Sequence, residues 1–430
     1  MTPLDHALAE RAREGRPIQV ALVGAGATSR TIVVQLATPV TGIRLAAIVN
    51  RTPANALRAW REAGASNVRP VSRPEELSAA IRDGLPAVTD DPDVGCQTPE
   101  VDLIIEATGT VDYAAGVTLR AIEAGKHVVL VNAELDSTLG PLLKHRADQA
   151  GVILTNTDGD EPGVAMTLLR YLRSIGLRPV AAGNLKGMVD HYRTPATQQG
   201  FAEKWDQDAR KVTSFADATK LSMEATVLAN ATGFRVGRRG MFGPACAHVN
   251  EMATRLPAEP MLQGGLVDYA LGAAPHTGAF VVVYEPDRSK QAQLAYYKMG
   301  DGPFYVFHTP FHLPHIQLAS TIARAVLARD ATVAPAGGPV CEVVTIAKQD
   351  LAAGMVLDGV GGFTCYGLID NAPAARRDDA LPMGLSEGCR LLRDVARDQV
   401  IRASDVERPA GRRADALWAE QAALWPGEES

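Results

Sequence analysis

Cysteine, long apolar runs and excess positive charge are all scarce in this sequence. The five cysteines among 430 residues form no Cys-x-x-Cys pair and no even-numbered disulfide framework. No apolar run approaches the roughly 20 residues that a transmembrane helix needs, and the charged N-terminus lacks the apolar core of a signal peptide. The formal net charge of −6 argues against a surface for nucleic acid or anionic membranes. We therefore expect a cytoplasmic protein with reduced thiols and with neither nucleic acid nor membrane as a partner.

The composition is that of a globular protein with ample material for a core. Hydrophobic residues make up 46% of the chain and charged residues 21%. At 430 residues the chain exceeds one ordinary hydrophobic core. We expect two or three domains.

The first motif is a glycine loop between a strand and a helix. Residues 17–37 read PIQVALVGAGATSRTIVVQLA, which is a β-branched run, a glycine turn and an amphipathic helix. Gly24 allows the tight turn, and Gly26 lets a pyrophosphate approach the helix N-terminus, where backbone amides and the helix dipole favour an anion. Ser29 replaces the usual third glycine and is small enough for close packing of helix on strand. A plain glycine turn is the alternative, but the context, with a second strand at residues 43–51, favours dinucleotide binding.

The end of the second strand bears on the choice of cofactor. Asn50 and Arg51 stand where NAD-preferring folds often carry a carboxylate for the ribose 2′-hydroxyl. Without that carboxylate a 2′-phosphate is not repelled, and Arg51 can pair with it; the alternative is an ordinary surface arginine. The pair favours NADP over NAD.

Three further strands end in small or polar residues. Residues 101–110, 125–140 and 151–163 carry these strands and alternate with helical stretches, which is the doubly wound pattern with ligands at the carboxyl ends. The motifs EATGT and GKHVVLVNAELD resemble the N-terminal half of homoserine-dehydrogenase-like NAD(P) oxidoreductases, in which these strand ends line the nicotinamide pocket. The predicted cofactor-binding residues are Gly24, Gly26, Ala27, Thr28, Ser29, Asn50, Arg51, Ala107, Thr108, Gly109, Asn132 and Glu134.

The middle of the sequence resembles a narrower family. Residues 156–187, 190–205 and 212–241 are similar to 1-deoxy-D-xylulose 5-phosphate reductoisomerase-like (DRL-type) oxidoreductases. With the glycine loop and the C-terminal tract, this resemblance covers nearly the whole chain. It implies an α/β fold: an N-terminal doubly wound Rossmann domain, an α+β catalytic domain and a small C-terminal β-clip module. It also implies oxidoreductase or reductoisomerase activity, a polyol-derived substrate and a homo-oligomer, either a dimer or a tetramer.

The segment GNLKGMVDHYRTP, residues 183–195, concentrates polar groups after an apolar run. We expect Lys186 to end a strand that faces the cofactor crevice. We expect DHYRTPATQQG to form a loop, because Pro195 and Gly200 interrupt a helix.

Lys186 is the predicted catalytic residue. A carbonyl reduced by hydride develops alkoxide charge, which an ammonium group stabilises or protonates. Asp160 or Glu161 is expected to orient Lys186. Lys204, in FAEKW, has a helix surface as its alternative place. The residues predicted to hold a phosphate or carboxylate of the substrate are Asp190, His191, Arg193, Lys204 and Lys220.

The acidic motif DGDEPG leaves two interpretations open. Asp158, Asp160 and Glu161 are close enough in sequence to bind Mg²⁺ or Mn²⁺ through oxygen ligands. The reductoisomerases that the chain resembles use an Asp-x-Glu pair and a distant Glu for such a metal, and Glu224 is the candidate for the distant ligand here. The alternative is that the carboxylates cap a helix starting near Pro162.

Three histidines in FHTPFHLPH look like metal ligands at first sight. Pro310 and Pro314 prevent a regular helix, so His308, His312 and His315 need not share a face. No cysteine or carboxylate lies nearby in sequence. We expect them to cover a helix start or an interface rather than to bind zinc.

The C-terminal region contains two segments of similar sequence pattern. Residues 346–362 and 391–407 repeat a pattern of a basic residue, an aspartate and short apolar pairs separated by turns. The pattern resembles the SAF or β-clip module of sialic-acid synthases and pilus-assembly chaperones, which implies binding of a sugar or a partner. The predicted domains are therefore 1–157 for NAD(P), 158–335 for catalysis and dimerisation, and 336–430 for the SAF-like module.

Three functions are compatible with these features. The leading one is an NAD(P)H-dependent oxidoreductase, either dehydrogenase or reductoisomerase, of a small anionic polyol or ketose. The second is a homoserine-dehydrogenase-like or sugar-acid dehydrogenase without rearrangement. The third is an NADP-binding sensor or scaffold, against which Lys186 and its surrounding cations argue, because a sensor needs no proton donor beside the nicotinamide.

Overall fold

The computed structural model describes residues 2–38 and 40–426 of the chain. They divide into two compact units. The first runs to Asp160 and also contains Leu313–Ala334, and the second contains Glu161–His312 and the chain from Pro335. No helix in the described ranges is long and apolar enough to cross a membrane.

The helices and strands follow one another along both units. The helices are α1 Pro3–Arg13, α2 Ala27–Ala37, α3 Pro53–Glu62, α4 Pro74–Arg82, α5 Pro92–Gln97, α6 Asp112–Glu123, α7 Ala133–Gln149, α8 Glu161–Ser174, α9 Pro195–Lys204, α10 Ala209–Ala216, α11 Thr219–Thr232, α12 Met252–Arg255, α13 Ala258–Gln263, α14 Arg288–Tyr296, α15 Leu318–Ala323, α16 Ala372–Arg377 and α17 Arg413–Leu424. The strands are β1 Ile18–Val23, β2 Ile43–Val49, β3 Arg69–Pro70, β4 Ala87–Thr89, β5 Leu103–Glu106, β6 His127–Leu130, β7 Leu154–Asn156, β8 Arg178–Lys186, β9 Leu266–Leu271, β10 Ala279–Tyr284, β11 Phe304–Thr309, β12 Cys341–Ala347, β13 Cys365–Asn371, β14 Arg390–Leu391 and β15 Val406–Glu407.

The first unit is built on a parallel sheet of seven described strands, in the order β3-β4-β2-β1-β5-β6-β7. Its central strands are apolar runs buried along their length, as expected of a parallel sheet covered on both faces. The strand order reverses between β1 and β5, and ligands of such sheets bind at the carboxyl ends beside this switch point. The predicted α/β fold, a Rossmann sheet with an additional domain, is confirmed.

Residues 313–334 return to the first unit. Leu318, Ile322 and Ala325 belong to the same buried apolar cluster as the side chains of β1. The predicted catalytic domain, 158–335, included this segment. The difference arises because the apolar spacing that predicts a helix here does not reveal which core the helix joins.

The second unit contains a four-stranded sheet in the order β11-β10-β8-β9. β8 pairs antiparallel with β10 and parallel with β9. Gly183 sits where β8 and β9 approach each other, and a Cβ there would lie 1.5 Å from the Asp268 carbonyl oxygen. No other residue fits this position without moving the backbone, so β8 is fixed in register just before Lys186.

Helix α9 corrects the prediction of a loop over DHYRTPATQQG. Residues 187–194 are without helix or strand, but the helix begins at Pro195 and continues through Gly200. Pro195 occupies the first turn, where its missing N–H costs nothing. Thr194 and Thr197 form a reciprocal cap before it.

A buried lysine ties the segment after β8 to the C-terminal part of the second unit. Lys348 follows β12, and its ammonium donates to the Arg193 carbonyl, the Gly362 carbonyl and the Asp217 carboxylate, at 2.8 Å each. The side chains of Lys348 and Asp217 are 2% and 0% exposed. Three acceptors match the three protons of the ammonium, so the charge is buried without an unsatisfied donor.

The C-terminal region is rich in short strands. β12 and β13 form an antiparallel pair, and β14 and β15 form another. An isolated bridge joins Ile346 of β12 to Val400, which lies between β14 and β15 in sequence. This agrees with the alternation and turns that the sequence shows. The resemblance to a SAF module stays a prediction.

Replacing Lys348 by Met should destabilise the second unit strongly. The substitution leaves the Asp217 carboxylate buried without its cation, and breaking a buried ion pair in this way commonly costs about 3–5 kcal/mol. Urea unfolding followed by circular dichroism measures the loss. Arg255→Met, which breaks an exposed pair with Glu251, is the matched control and should change the free energy of unfolding by less than about 1 kcal/mol. Equal effects of the two substitutions would show that the buried pair is not a structural requirement.

Candidate active site

The glycine loop of the first unit has the geometry of a dinucleotide-binding turn. Gly24 has φ of +112°, and a Cβ there would lie 2.9 Å from the Ala107 carbonyl oxygen. Ser29 is fully buried and its hydroxyl donates to the same carbonyl at 3.3 Å. Gly26 is the N-cap of α2 and provides no side chain to cap the first turn, which Ala27 and Thr28 open. The helix N-terminus therefore fits a pyrophosphate, as NAD(P) binding requires.

The ends of β5 and β6 are joined by a buried carboxyl group that the sequence analysis missed. Glu106 accepts hydrogen bonds from the Thr108 backbone N–H at 2.9 Å, from the Thr108 hydroxyl and from Asn132 Nδ2 at 2.6 Å. Asn132 also caps α7, since its Oδ1 accepts from the Leu135 N–H at 3.0 Å. Burial raises the pKa of Glu106 to about 7, against the effect of these donors. In the sequence, Glu106 could have been recognised as a charged residue at the end of an otherwise apolar strand.

The remaining predicted cofactor residues lie at the same edge of the sheet. Asn50 follows β2, and its Nδ2 donates to the Thr52 carbonyl at 2.8 Å. Arg51, beside it, is exposed. Gly109 adopts φ of +68° in the turn after β5, and Glu134 lies in the first turn of α7. Ligands of doubly wound sheets bind at this edge, and the roles of these residues stay predictions.

Lys186 lies between two carboxylates in the second unit. Its Nζ donates to Glu161 Oε1 at 2.9 Å and to Glu224 Oε2 at 3.4 Å. Asn184, two residues earlier on the same face of β8, donates to Glu224 Oε2 at 3.0 Å. The Lys186 side chain is 19% exposed, while those of Glu161 and Glu224 are 6% and 4% exposed. Of the two orienting residues predicted, Glu161 makes the contact, and Asp160 is the last residue of the first unit.

The pKa values of both Lys186 and Glu224 are raised, for different reasons. Burial alone lowers the pKa of Lys186, but the Glu161 and Glu224 carboxylates outweigh it and raise that pKa above its usual range. Burial, and next the Glu161 charge, raises the pKa of Glu224 to about 7. Lys186 and Lys220 both counteract this rise. The lysine therefore stays an ammonium while one carboxyl group nearby titrates close to neutrality.

The residues predicted as metal ligands lie in two different places. Asp158 is engaged within the first unit, where its carboxylate accepts from Ser320 at 3.1 Å, from Arg324 at 3.4 Å and from Thr332. Asp160, Glu161 and Glu224 each offer a carboxylate oxygen, and these oxygens lie within 4.8 Å of one another, as in a group that could hold a metal ion. The Lys186 ammonium contacts Glu161 and Glu224 in this group. The Lys186 ammonium therefore lies where Mg²⁺ or Mn²⁺ would contact Glu161 and Glu224, and the metal stays a prediction. α8 begins at Glu161, next to the helix start predicted at Pro162.

Most of the predicted substrate-binding residues have other partners. Asp190 accepts from Arg193 Nε at 2.9 Å. His191 stacks on Tyr366 with ring centroids 4.7 Å apart. Lys204 is exposed on α9 with its ammonium 5.3 Å from the centre of the Trp205 ring, as the helix-surface alternative expects.

Lys220 differs from these four, because its charge acts on Glu224, one turn later on α11. Among the predicted substrate-binding residues, Lys220 is thus the one whose charge acts on the group formed by Lys186, Glu161 and Glu224. No group of three potential metal ligands in the described ranges includes one of the three histidines of FHTPFHLPH.

Glu224→Gln should change how the stability of the protein depends on pH. The pKa of Glu224 is raised from 4.5 to about 7 in the folded protein, so folding binds a proton in that range. The stability that this proton contributes is fully present below about pH 4.5 and is lost as the pH rises through about 7. We expect the parent to lose stability relative to Glu224→Gln between pH 5 and pH 8, measured by urea unfolding. The exposed substitution Glu203→Gln is the control, and a pH-independent difference between Glu224→Gln and the parent would contradict the assignment.

Two family models match consecutive parts of the chain. Residues 24–155 match the homoserine dehydrogenase NAD-binding domain, and residues 159–318 match the oxidoreductase DRL catalytic domain. Among curated proteins, no significant match is found.

Solved dehydrogenase structures show only a distant likeness. GenD2 from gentamicin A biosynthesis, in complex with NAD, is 15% identical with a TM-score of 0.39, over 74% of this chain and 89% of that one. A probable dehydrogenase from Thermotoga maritima is 13% identical with a TM-score of 0.42, over 74% and 91% of the two chains. Scyllo-inositol dehydrogenase from Lactobacillus casei, with NAD(H) and scyllo-inositol bound, is 14% identical with a TM-score of 0.36, over 62% and 73%.

The predicted enzyme class is confirmed by the two family models. The first covers the glycine loop and the buried Glu106, and the second covers Lys186, Glu161 and Glu224. The chain is an oxidoreductase, in which residues 24–155 match the homoserine dehydrogenase NAD-binding domain and residues 159–318 match the oxidoreductase DRL catalytic domain.

Proposed function

We propose that this oxidoreductase uses NADPH to reduce the carbonyl group of a small anionic ketose or polyol-derived compound, with Lys186 stabilising the alkoxide. The observation that carries the proposal is the Lys186 ammonium held by Glu161 and Glu224 at the end of β8. The reaction needs a bound nicotinamide cofactor, for which the first unit has the glycine loop. It also needs a group that meets the developing negative charge, for which the second unit has Lys186.

Lys186 suits this role through its charge and its fixed position. Hydride addition to a carbonyl carbon places negative charge on the oxygen, and a preorganised ammonium stabilises that charge most in a site from which water is largely excluded. An alkoxide is far more basic than an amine, so Lys186 can complete the reduction by giving it a proton. Glu161 and Glu224 keep the ammonium charged before the substrate binds.

The anionic character of the substrate is supported by Lys220. Its charge acts within the same cluster, and a lysine can bind a phosphate or carboxylate as a point charge. The other four predicted residues add no support for an anionic substrate, because they contact neighbouring side chains of the protein. They are Asp190, His191, Arg193 and Lys204.

A reductoisomerase and a simple reductase differ in whether the carbon skeleton rearranges before hydride transfer. The reductoisomerases that the sequence resembles grip neighbouring substrate oxygens with a metal. Such a metal would use Asp160, Glu161 and Glu224. The Lys186 ammonium already contacts two of these three carboxylates, which supports direct reduction. We therefore place reduction without rearrangement first.

The test is a screen of NADPH oxidation against phosphorylated ketoses, 2-oxo acids and keto-sugar acids, with and without Mn²⁺. The expected result is turnover of an anionic carbonyl compound, without a requirement for Mn²⁺ and with the carbon skeleton intact by NMR of the product. A rearranged product or an absolute Mn²⁺ requirement would favour the reductoisomerase. Binding of NADPH without turnover of any compound would favour the sensor.

Arg51→Ala should remove the preference for NADPH over NADH. Arg51 is exposed at the end of β2, where no carboxylate repels a 2′-phosphate. Loss of a charged hydrogen bond to that phosphate should weaken NADPH binding about tenfold or more and leave NADH binding unchanged. Fluorescence titration with both cofactors measures this, with Arg61→Ala as the control on the neighbouring helix. Equal affinities of the parent for the two cofactors would refute the preference.

Lys186→Met should lower kcat by about a hundred- to a thousandfold while NADPH binding stays intact, because it removes one preorganised donor. The exposed Lys298→Met is the control for the loss of a positive charge elsewhere. The substitution also leaves Glu161 and Glu224 without their cation, so the double variant Lys186→Met/Glu224→Gln should regain stability without regaining activity. Near-parental kcat in Lys186→Met would exclude the proposed role.

A further inference from the structure

The first unit contains a cavity of about 380 Å³ at the edge of the sheet where β2 begins. The C-terminal ends of α2 and α3 and the residue before β4 also line it. The glycine loop lies at the other end of α2, and Asn50 and Arg51 lie at the other end of β2. The cavity is therefore separate from the predicted cofactor edge, and its volume is within the roughly 300–1,000 Å³ of small-molecule sites.

Most of the side chains around this cavity are apolar. They include Leu36, Ile43, Leu45, Trp60, Ala63 and Pro86. The Trp60 indole N–H already donates to the Ala87 carbonyl at 3.0 Å, so its ring offers apolar surface only. The turn after α3 is also closed on itself, since the Ala65 N–H donates to the Trp60 carbonyl at 2.9 Å. These walls fit a ligand with an apolar body.

Arg44 is the charged residue among the described residues that line the cavity. Its side chain is half-buried, and its guanidinium has a single long hydrogen bond, from Nη1 to the Ile81 carbonyl at 3.4 Å. In the described part of the chain no carboxylate forms an ion pair with it. Burial lowers the pKa of Arg44, and no carboxylate opposes this effect.

Other arginines of the first unit have the anionic partner that Arg44 lacks. Arg30 pairs with Glu62 at 3.2 Å, and Arg69 pairs with Asp83 at 2.8 Å. Taking a charge out of water without a partner is costly. A guanidinium carries five N–H donors in a planar fork that matches a carboxylate. A carboxylate in the cavity would therefore use donors of Arg44 that the protein itself leaves without an acceptor.

We propose that this cavity binds a medium-chain aliphatic monocarboxylate, which pairs with Arg44 and lays its chain along the apolar walls. The guanidinium selects an anion over a neutral or cationic compound of the same shape. One carboxylate suffices, because the other described residues that line the cavity carry no charged side chain. The inference is independent of the proposed carbonyl reduction, since the cavity belongs to the first unit and Lys186 to the second.

Isothermal titration calorimetry of the full chain with octanoate, octan-1-ol and octylamine tests this, because the three compounds differ only in the head group. Octanoate should bind about tenfold or more tightly than octanol, which cannot form the charged hydrogen bonds. Octylamine should bind more weakly than octanol, because its charge has the same sign as that of Arg44. Saturation with NADPH should leave octanoate binding unchanged, since the predicted cofactor edge lies at the other end of β2.

Three variants locate the bound octanoate. Arg44→Met should weaken octanoate binding about tenfold or more and leave octanol binding unchanged. Ala63→Leu places a larger side chain in the cavity and should weaken the binding of both compounds. Arg61→Met is the matched control, since Arg61 is exposed on α3 and does not line the cavity. It should bind octanoate like the parent.

Equal affinities of the parent for octanoate and octanol would overturn the role of Arg44, and absence of octanoate binding would overturn the site itself. These two outcomes are read on the parent, so they hold whether or not a substitution disturbs folding. Displacement of octanoate by NADPH, or full octanoate affinity in Ala63→Leu, would show that octanoate binds elsewhere and would also overturn the proposal.

Discussion

A lysine ammonium held between two buried carboxylates is the interaction on which the structure of the candidate site in the second unit depends. Removing three charges from water is costly, and only close contact among them offsets that cost. β8 supplies Lys186, α8 supplies Glu161 and α11 supplies Glu224, so these three elements must meet within hydrogen-bond distance. Two further contacts help to hold these elements together. β8 and β9 approach closely at Gly183, just before Lys186, and the Asn184 amide donates a hydrogen bond to Glu224. A small displacement of any of these elements would leave a buried charge without a partner.

The parts of the molecule that could be predicted from the sequence are those set by local patterns. The strand, glycine loop and helix around Gly24 depend on short-range geometry, and the Rossmann sheet follows from apolar strands alternating with helices. Lys186 could be singled out because it ends an apolar strand. Glu161 could be named as its partner, because it stands in an acidic motif at a helix start.

The parts that could not be predicted depend on contacts between distant segments. Lys348 lies more than a hundred residues from Asp217, and nothing around either residue shows that they pair. The polar run from Asp190 to Arg193 looks like a substrate clamp in sequence, yet its groups satisfy one another or pack on Tyr366. In the sequence, His312 stands out only as one of three histidines that resemble metal ligands. Its position 3.6 Å from Glu161 depends on the tertiary structure and could not be predicted. Residue type and spacing show which side chains are able to take part in chemistry. Which of them come together in one site depends on the packing of distant segments.

The return of residues 313–334 to the first unit has a consequence for synthesis on the ribosome. Leu318, Ile322 and Ala325 complete the apolar core that β1 begins, so the nucleotide-binding unit cannot finish folding when its own 160 residues have emerged. Its core stays incomplete until about three quarters of the chain has been translated, by which time β8, which carries Lys186, is also present. The two units are therefore expected to mature together, and a fragment ending at the first boundary would expose the surface that α15 covers.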